Sequence, residues 1–152
     1  KAFPIFVKDI ASARRLAYIS DVKARFLERV WPGAVTVIFQ HKGKLPSVLT
    51  GGKDTIGVRI PNDEFLLALL ARLDAPMAQT SANISDMPPA NSADEAVAYF
   101  KGKKDAPDLI IDGGVLAGAS STVVDFIGPD PLIVRAGPVS KSDLDAFLRS
   151  EE

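Results

Sequence analysis

Cysteine is absent from the 152-residue sequence, and His41 is its one histidine. The first absence excludes disulfide scaffolds, thiolate-held metal centres and any cysteine nucleophile, and the second leaves too few imidazoles for a histidine metal site. Long apolar runs are also missing. The longest, Phe65 to Ala71, stops between Glu64 and Arg72, far short of the roughly twenty residues that span a bilayer. No glycine loop of the Walker or dinucleotide type occurs, because Gly51-Gly52-Lys53-Asp54-Thr55 lacks the Lys-Ser/Thr pair of a phosphate loop. No serine stands in a nucleophile-elbow pattern, which argues against a Ser-His-Asp hydrolase. Hydroxyls, amides, carboxylates, lysine and arginine remain, a set better suited to binding and positioning than to covalent catalysis.

What is present is the mixture of a globular domain: 47% hydrophobic and 24% charged residues at this length predict one compact fold rather than disorder. The net charge of −1 hides an asymmetry. Residues 1–60 carry a balance of +7 and residues 61–152 a balance of −8, which places the basic surface on elements built from the first part of the chain. An anionic ligand or nucleic acid would explain it. The commoner explanation is that Arg14, Arg15, Lys23, Arg25 and Arg29 decorate the wet faces of two amphipathic helices. The opening KAFPIFVKD has neither the apolar length nor the cleavage site of a signal peptide, so a cytoplasmic location without membrane attachment is expected.

Strands and helices alternate along the chain. Phe3 to Val7 reads as a short strand, followed by a helix capped by Asp9 or Ser12 and running to Tyr18. Ser20 and Asp21 start a second helix that ends at Val30, before Trp31-Pro32-Gly33. Ala34 to Gln40 alternates Val35, Val37 and Phe39 against Thr36 and Ile38, as a strand does. Leu45 to Lys53 is turn-rich, Thr55 to Ile60 is a strand, and Asn62 is expected to cap an apolar helix to Arg72. Pro76 to Gln79, Asp108 to Asp112, Ser121 to Phe126 and Leu132 to Arg135 read as strands, Asp94 to Phe100 as a helix. A last helix runs from Ser140 or Ser142 to Leu148. The pattern predicts an α/β domain with a twisted mixed sheet flanked by helices.

Polar residues gather where strands end, the usual ligand edge of an open α/β sheet. Arg59 interrupts the apolar Thr55-Ile56-Gly57-Val58-Arg59-Ile60, and its planar fork requires an anion: either a bound carboxylate or phosphate, or an internal Asp or Glu. Gln79-Thr80-Ser81-Ala82-Asn83-Ile84-Ser85 could wrap phosphate oxygens in a nest of amides and hydroxyls, or could be an ordinary turn. Asp112-Gly113-Gly114 through Ser121 to Asp125 combines glycines that admit close approach with orienting hydroxyls, although a plain hairpin loop would look the same. Arg135, ending Ile133-Val134-Arg135, could neutralise a second anionic group.

Taken together, WPGAVTVIF, TIGVRIP, TSANIS, DGG, SSTVVDF and IVRAGPVS stand in the order and approximate spacing of the YrdC-like (TsaC) family, the threonylcarbamoyl-AMP synthases, and the chain resembles that family from about Phe3 to Leu148. The resemblance implies a single-domain, twisted mixed sheet with a concave basic surface. It implies condensation of L-threonine, bicarbonate and ATP into threonylcarbamoyl-AMP and pyrophosphate, for the threonylcarbamoyl-adenosine of tRNA. Carried over, Arg59 would hold the threonine carboxylate, with Gln79, Thr80 and Ser121 lining the amino-acid pocket. Thr55, Ser81, Asn83 and Arg135 would face ATP. No residue is assigned as a covalent catalyst and none as a metal ligand. Magnesium would come with ATP, held mainly by its phosphates and water. tRNA or double-stranded RNA and a downstream tRNA-modifying transferase are the macromolecular partners implied.

Two departures qualify the resemblance. The family pattern starts upstream of Phe3-Pro4 with a Pro-Thr-Glu-Thr-like strand and a Lys-x-Arg element, neither of which is in these 152 residues, so weak or no turnover is expected of this stretch alone. Asp86 stands where glycine is common. Two rival readings remain: a HypF-like carbamoyl-adenylating domain, and a non-catalytic RNA-binding module that keeps the basic concavity.

Overall fold

The computed structural model describes residues 2–116 and 118–149. The chain divides into two compact units, one running to Gln79 and resuming at Ser120, the other Thr80–Ala119.

The first unit is built on a six-stranded mixed sheet. Its strands are β1 (Ile5–Phe6), β2 (Val35–Gln40), β3 (Thr55–Arg59), β4 (Met77–Ala78), β5 (Thr122–Asp125) and β6 (Leu132–Arg135), in the order β4-β1-β3-β2-β5-β6. β1 runs parallel to β3 and β5 parallel to β2, while the β1/β4, β2/β3 and β5/β6 pairs are antiparallel. Its helices are α1 (Ile10–Leu16), α2 (Asp21–Val30), α3 (Ser47–Thr50), α4 (Glu64–Leu73) and, at the end of the chain, α6 (Lys141–Arg149).

Side-chain alternation gives the sheet two unlike faces. Ile5, Val35, Val37, Phe39, Ile56, Val58 and Val124 point to one face and are buried, joined by Ala13 and Ala17 from the α1 segment, Phe26, Leu27 and Val30 of α2, and Leu144 of α6. Phe26 meets Phe126 edge to face at 5.3 Å. Leu49 of α3 and Leu67 of α4 pack against the same core, so every helix of this unit contributes to it. The opposite face carries Phe6, Thr36, Ile38, Gly57, Arg59 and Val123.

Local chemistry sets the helix starts as expected from sequence, with one shift. Asp9 accepts from Ser12 N and Ser20 from Lys23 N, as N-caps do. For α4 the cap is Asp63, accepting from Leu66 N at 2.8 Å, rather than the expected Asn62. The carboxylate there also complements the helix dipole. The turn-rich Leu45 to Lys53 contains the short α3, ended by Gly51 at φ 63°.

The second unit contains α5 (Ala93–Phe100), capped by Ser92. The strand expected at Asp108 to Asp112 does not form: these residues are irregular and exposed, with no strand beside them to complete a ladder. Leu109, Ile110 and Ile111 instead line a hollow of about 300 Å³ with Ala93, Ala96 and Phe100.

Candidate oxyanion site on the open sheet face

The strand register brings Met77, Phe6, Arg59, Thr36, Val123 and Arg135 into one transverse row. Phe6 pairs with Met77 and with Arg59, Thr36 with Val123, and Val123 with Arg135. Arg59 falls opposite Thr36 when the β2/β3 register, last paired at Val37 and Val58, continues by one residue. Three strand spacings separate the Arg59 and Arg135 backbones, or about 14 Å.

Arg59 is half-buried. Its Nε donates to the Gly33 carbonyl at 2.6 Å, and its guanidinium lies 5.7 Å from the Phe6 ring centre. Burial lowers its pKa from the ordinary value, so the charge is held at some cost in solvation. No carboxylate pairs with it among the described residues, so the internal-partner alternative finds no support there. Gly33 can present its carbonyl because its backbone passes close to α2: a Cβ there would lie 2.4 Å from the Val30 oxygen.

Arg135, at the exposed end of β6, closes on Ser121. Its Nη2 donates to the Ser121 carbonyl at 2.7 Å and to Ser121 Oγ at 3.2 Å, and its Nε reaches the same carbonyl at 3.2 Å. Ser121 Oγ in turn lies 2.8 Å from Thr36 Oγ1, and both hydroxyls are buried. Thr122 Oγ1 ties this segment to Val139 by accepting from its N–H and donating to its carbonyl.

Two glycines shape the floor. A Cβ on Gly57 would meet Thr36 Cγ2 at 3.1 Å and Pro4 Cβ at 3.4 Å. One on Gly137 would fall 2.3 Å from Thr122 N and 2.6 Å from Ser121 C, so only glycine lets the chain after β6 lie on the Ser121 backbone.

Of the expected site residues, Arg59, Ser121 and Arg135 therefore share one face, and Ser121 and Arg135 are in contact there. Thr55 shares it, two positions before Gly57, and Gln79 follows β4 onto the same side, its N–H bonded to the Pro4 carbonyl at 2.9 Å. Thr80, Ser81 and Asn83 belong to the second unit. There Asn83 Nδ2 donates to the Ile84 and Met87 carbonyls at 3.0 and 2.8 Å, organising its own turn, while Ser81 is exposed. Phe6, Gly33, Thr36, Gly57 and Gly137 do not stand out from sequence. Only Thr36 leaves a signal there, as a hydroxyl between valines.

The helical cations lie elsewhere. Arg14 pairs with Asp21 at 2.6 Å, Arg15 donates to Ser12, and Lys23 donates to the Phe126 and Ile127 carbonyls at 2.6 and 3.0 Å. They ride on α1 and α2, which cover the core face. Arg14, Arg15 and Lys23 are thus engaged beside α1 and α2 and not on the open face.

A family model described as "Telomere recombination", for Sua5, YciO and YrdC proteins, matches residues 1–137. The threonylcarbamoyl-AMP synthase of Pyrococcus abyssi is 37% identical over 122 residues, 80% of this chain and 35% of that protein. The Bacillus subtilis threonylcarbamoyl-AMP synthase is 31% identical over 147 residues, 95% of this chain and 42% of that protein. The crystal structure of P. abyssi Sua5 complexed with L-threonine aligns with a TM-score of 0.88 at 32% identity, covering 97% of this chain and 43% of that one. This chain thus spans well under half the length of these relatives. The match over nearly all of its residues, on a six-stranded mixed sheet, nevertheless places it: the chain belongs to the Sua5/YciO/YrdC family.

Proposed function

We propose that this chain is the threonine- and ATP-handling part of a threonylcarbamoyl-AMP synthase. The observation that carries the reading is Arg59: a half-buried guanidinium, anchored through Nε to Gly33, with no carboxylate to neutralise it among the described residues. Its Nη groups would take the threonine carboxylate by two parallel bonds, with Ser121 and Gln79 at the rim of the same face.

In the reaction, the threonine amine forms a bond to the bicarbonate carbon as water leaves, and the resulting carbamate attacks the α-phosphorus of ATP. A carbamate oxygen–phosphorus bond forms, the bond to the bridging oxygen breaks, and pyrophosphate leaves with the electron pair. Little covalent work falls to the protein. What it supplies is alignment of two anions and stabilisation of charge spreading over phosphoryl oxygens. Arg59 and Arg135 take these roles, with Thr55 as a further ligand contact. The face offers guanidinium groups and hydroxyls to these anions. Magnesium enters as part of the ATP substrate. The product serves tRNA modification through a downstream transferase, in the cytoplasm.

Pyrophosphate release tests the reading. It is expected to require ATP, L-threonine and bicarbonate together. Release driven by carbamoyl phosphate in place of threonine would favour the HypF-like alternative. Salt-sensitive tRNA binding with no nucleotide binding would favour the RNA-binding module.

A further inference from the structure

We infer that Thr36 is a positioning residue that turns the Ser121 hydroxyl outward as a hydrogen-bond donor to an oxyanion lying between Arg59 and Arg135. The inference rests on the proposed threonine-handling role for the identity of that oxyanion, and on a donor count for the rest.

Thr36 is 2% exposed, so its hydroxyl proton has no route to water and must find an acceptor in the protein. Its one partner among the described residues is Ser121 Oγ at 2.8 Å. Either hydroxyl could donate by geometry alone; Thr36, at 2% exposed against 8% for Ser121, is the more enclosed of the two, and we infer that it donates and Ser121 accepts. The same Ser121 oxygen also accepts from Arg135 Nη2 at 3.2 Å. A serine hydroxyl has two lone pairs and one proton, so both lone pairs are engaged and the proton remains.

With Thr36 as donor, no further hydrogen bond from Ser121 Oγ to a protein acceptor forms among the described residues, and the nearby Ser121 carbonyl is taken up by Arg135 Nε and Nη2. It is therefore available to a ligand, and the ligand atom must be an acceptor. The setting selects a negatively charged one: Arg135 stands beside Ser121, and Arg59 lies across from Thr36 in the same row. Gly57 keeps the arrangement tight, since its missing side chain leaves room for Thr36 Cγ2. Thr36 touches no ligand in this scheme and acts through Ser121. In the proposed reaction the acceptor is the carboxylate of L-threonine.

Calorimetric titration with L-threonine of the unsubstituted chain, Thr36→Val, Thr36→Ser, Ser121→Ala and the double variant Thr36→Val/Ser121→Ala tests this. Valine preserves shape and removes the hydroxyl. Thr36→Val is expected to weaken binding about tenfold, the scale of one hydrogen bond to a charged group, and Thr36→Ser to restore it. The double variant is expected to bind no more weakly than Ser121→Ala alone, an outcome that general loosening of the fold would not give. Full affinity in Thr36→Val, or losses that multiply in the double variant, would overturn the inference and leave the functional reading intact. Failure of the unsubstituted chain to bind L-threonine would overturn the functional reading, and with it the identity of the oxyanion.

Discussion

Arg59 Nε donates to the Gly33 carbonyl at 2.6 Å, and no side chain of opposite charge answers it among the described residues. This contact fixes the plane of the guanidinium and leaves the two Nη groups to act as a fork. Arg59→Lys keeps the charge but loses both the anchor and the fork geometry. L-Threonine affinity, measured by calorimetry, is expected to fall at least about tenfold in Arg59→Lys and as far in Arg59→Gln. Near-native affinity in the lysine variant would mean that charge alone suffices there.

The two floor glycines are expected to fail differently. At Gly137 every close atom is backbone, so Gly137→Ala is expected to destabilise the chain by about 1–3 kcal/mol, read as a lower denaturation midpoint. At Gly57 the near atoms are the side chains of Thr36 and Pro4, at 3.1 and 3.4 Å. Gly57→Ala is expected to disturb ligand affinity more than stability. Equal loss of stability in the two variants would contradict this division.

Acid sensitivity has an identifiable origin. Hydrogen bonds from Ser12 hold the Asp9 carboxyl below its ordinary pKa, and those from Ser140 do the same at Asp143. A depressed folded-state pKa gives stability that is present above the unfolded-state value and lost as pH falls through the folded one. Asp9→Asn is therefore expected to flatten the acid limb of stability against pH while retaining a capping side chain. Denaturation midpoints taken across the carboxylate range measure it, and an unchanged acid limb would contradict the assignment.

Packing on the core face sets a larger scale. Phe126, 1% exposed, meets Phe26 edge to face, and Lys23 Nζ lies 5.0 Å from its ring centre. Phe126→Ala is expected to cost about 3–5 kcal/mol, read by chemical denaturation. A loss under about 1 kcal/mol would mean that the cavity collapses without penalty.

Much of the first unit is legible in the sequence because local chemistry decides it. Ser20 and Asp9 announce their helices, and the alternation of Val35, Val37 and Phe39 announces β2. Asp63 displaces Asn62 as a cap because neighbouring short polar residues compete for one role. Asp108 to Asp112 looks like a strand from its branched residues, but a strand requires a partner, and pairing is not a local property. The same limit hides half of the site. Arg59 can be seen to need an anion, whereas its meeting with Thr36, Ser121 and Arg135 depends on strand order and register. Gly57 and Gly137 matter for atoms they approach through space, which spacing along the chain does not reveal. At Asp86 the sequence does point to the turn: its φ of 69° is the left-handed conformation that glycine adopts freely.

Backbone amide NMR during titration with L-threonine tests the central claim most directly. The expected result is a saturable set of shifts centred on Gly33, Thr36, Arg59 and Ser121 on the open face, with the buried strand positions Val37 and Val58 changing little. Saturable shifts confined to α1 and α2 on the core face, or no saturable shift at any concentration, would contradict it.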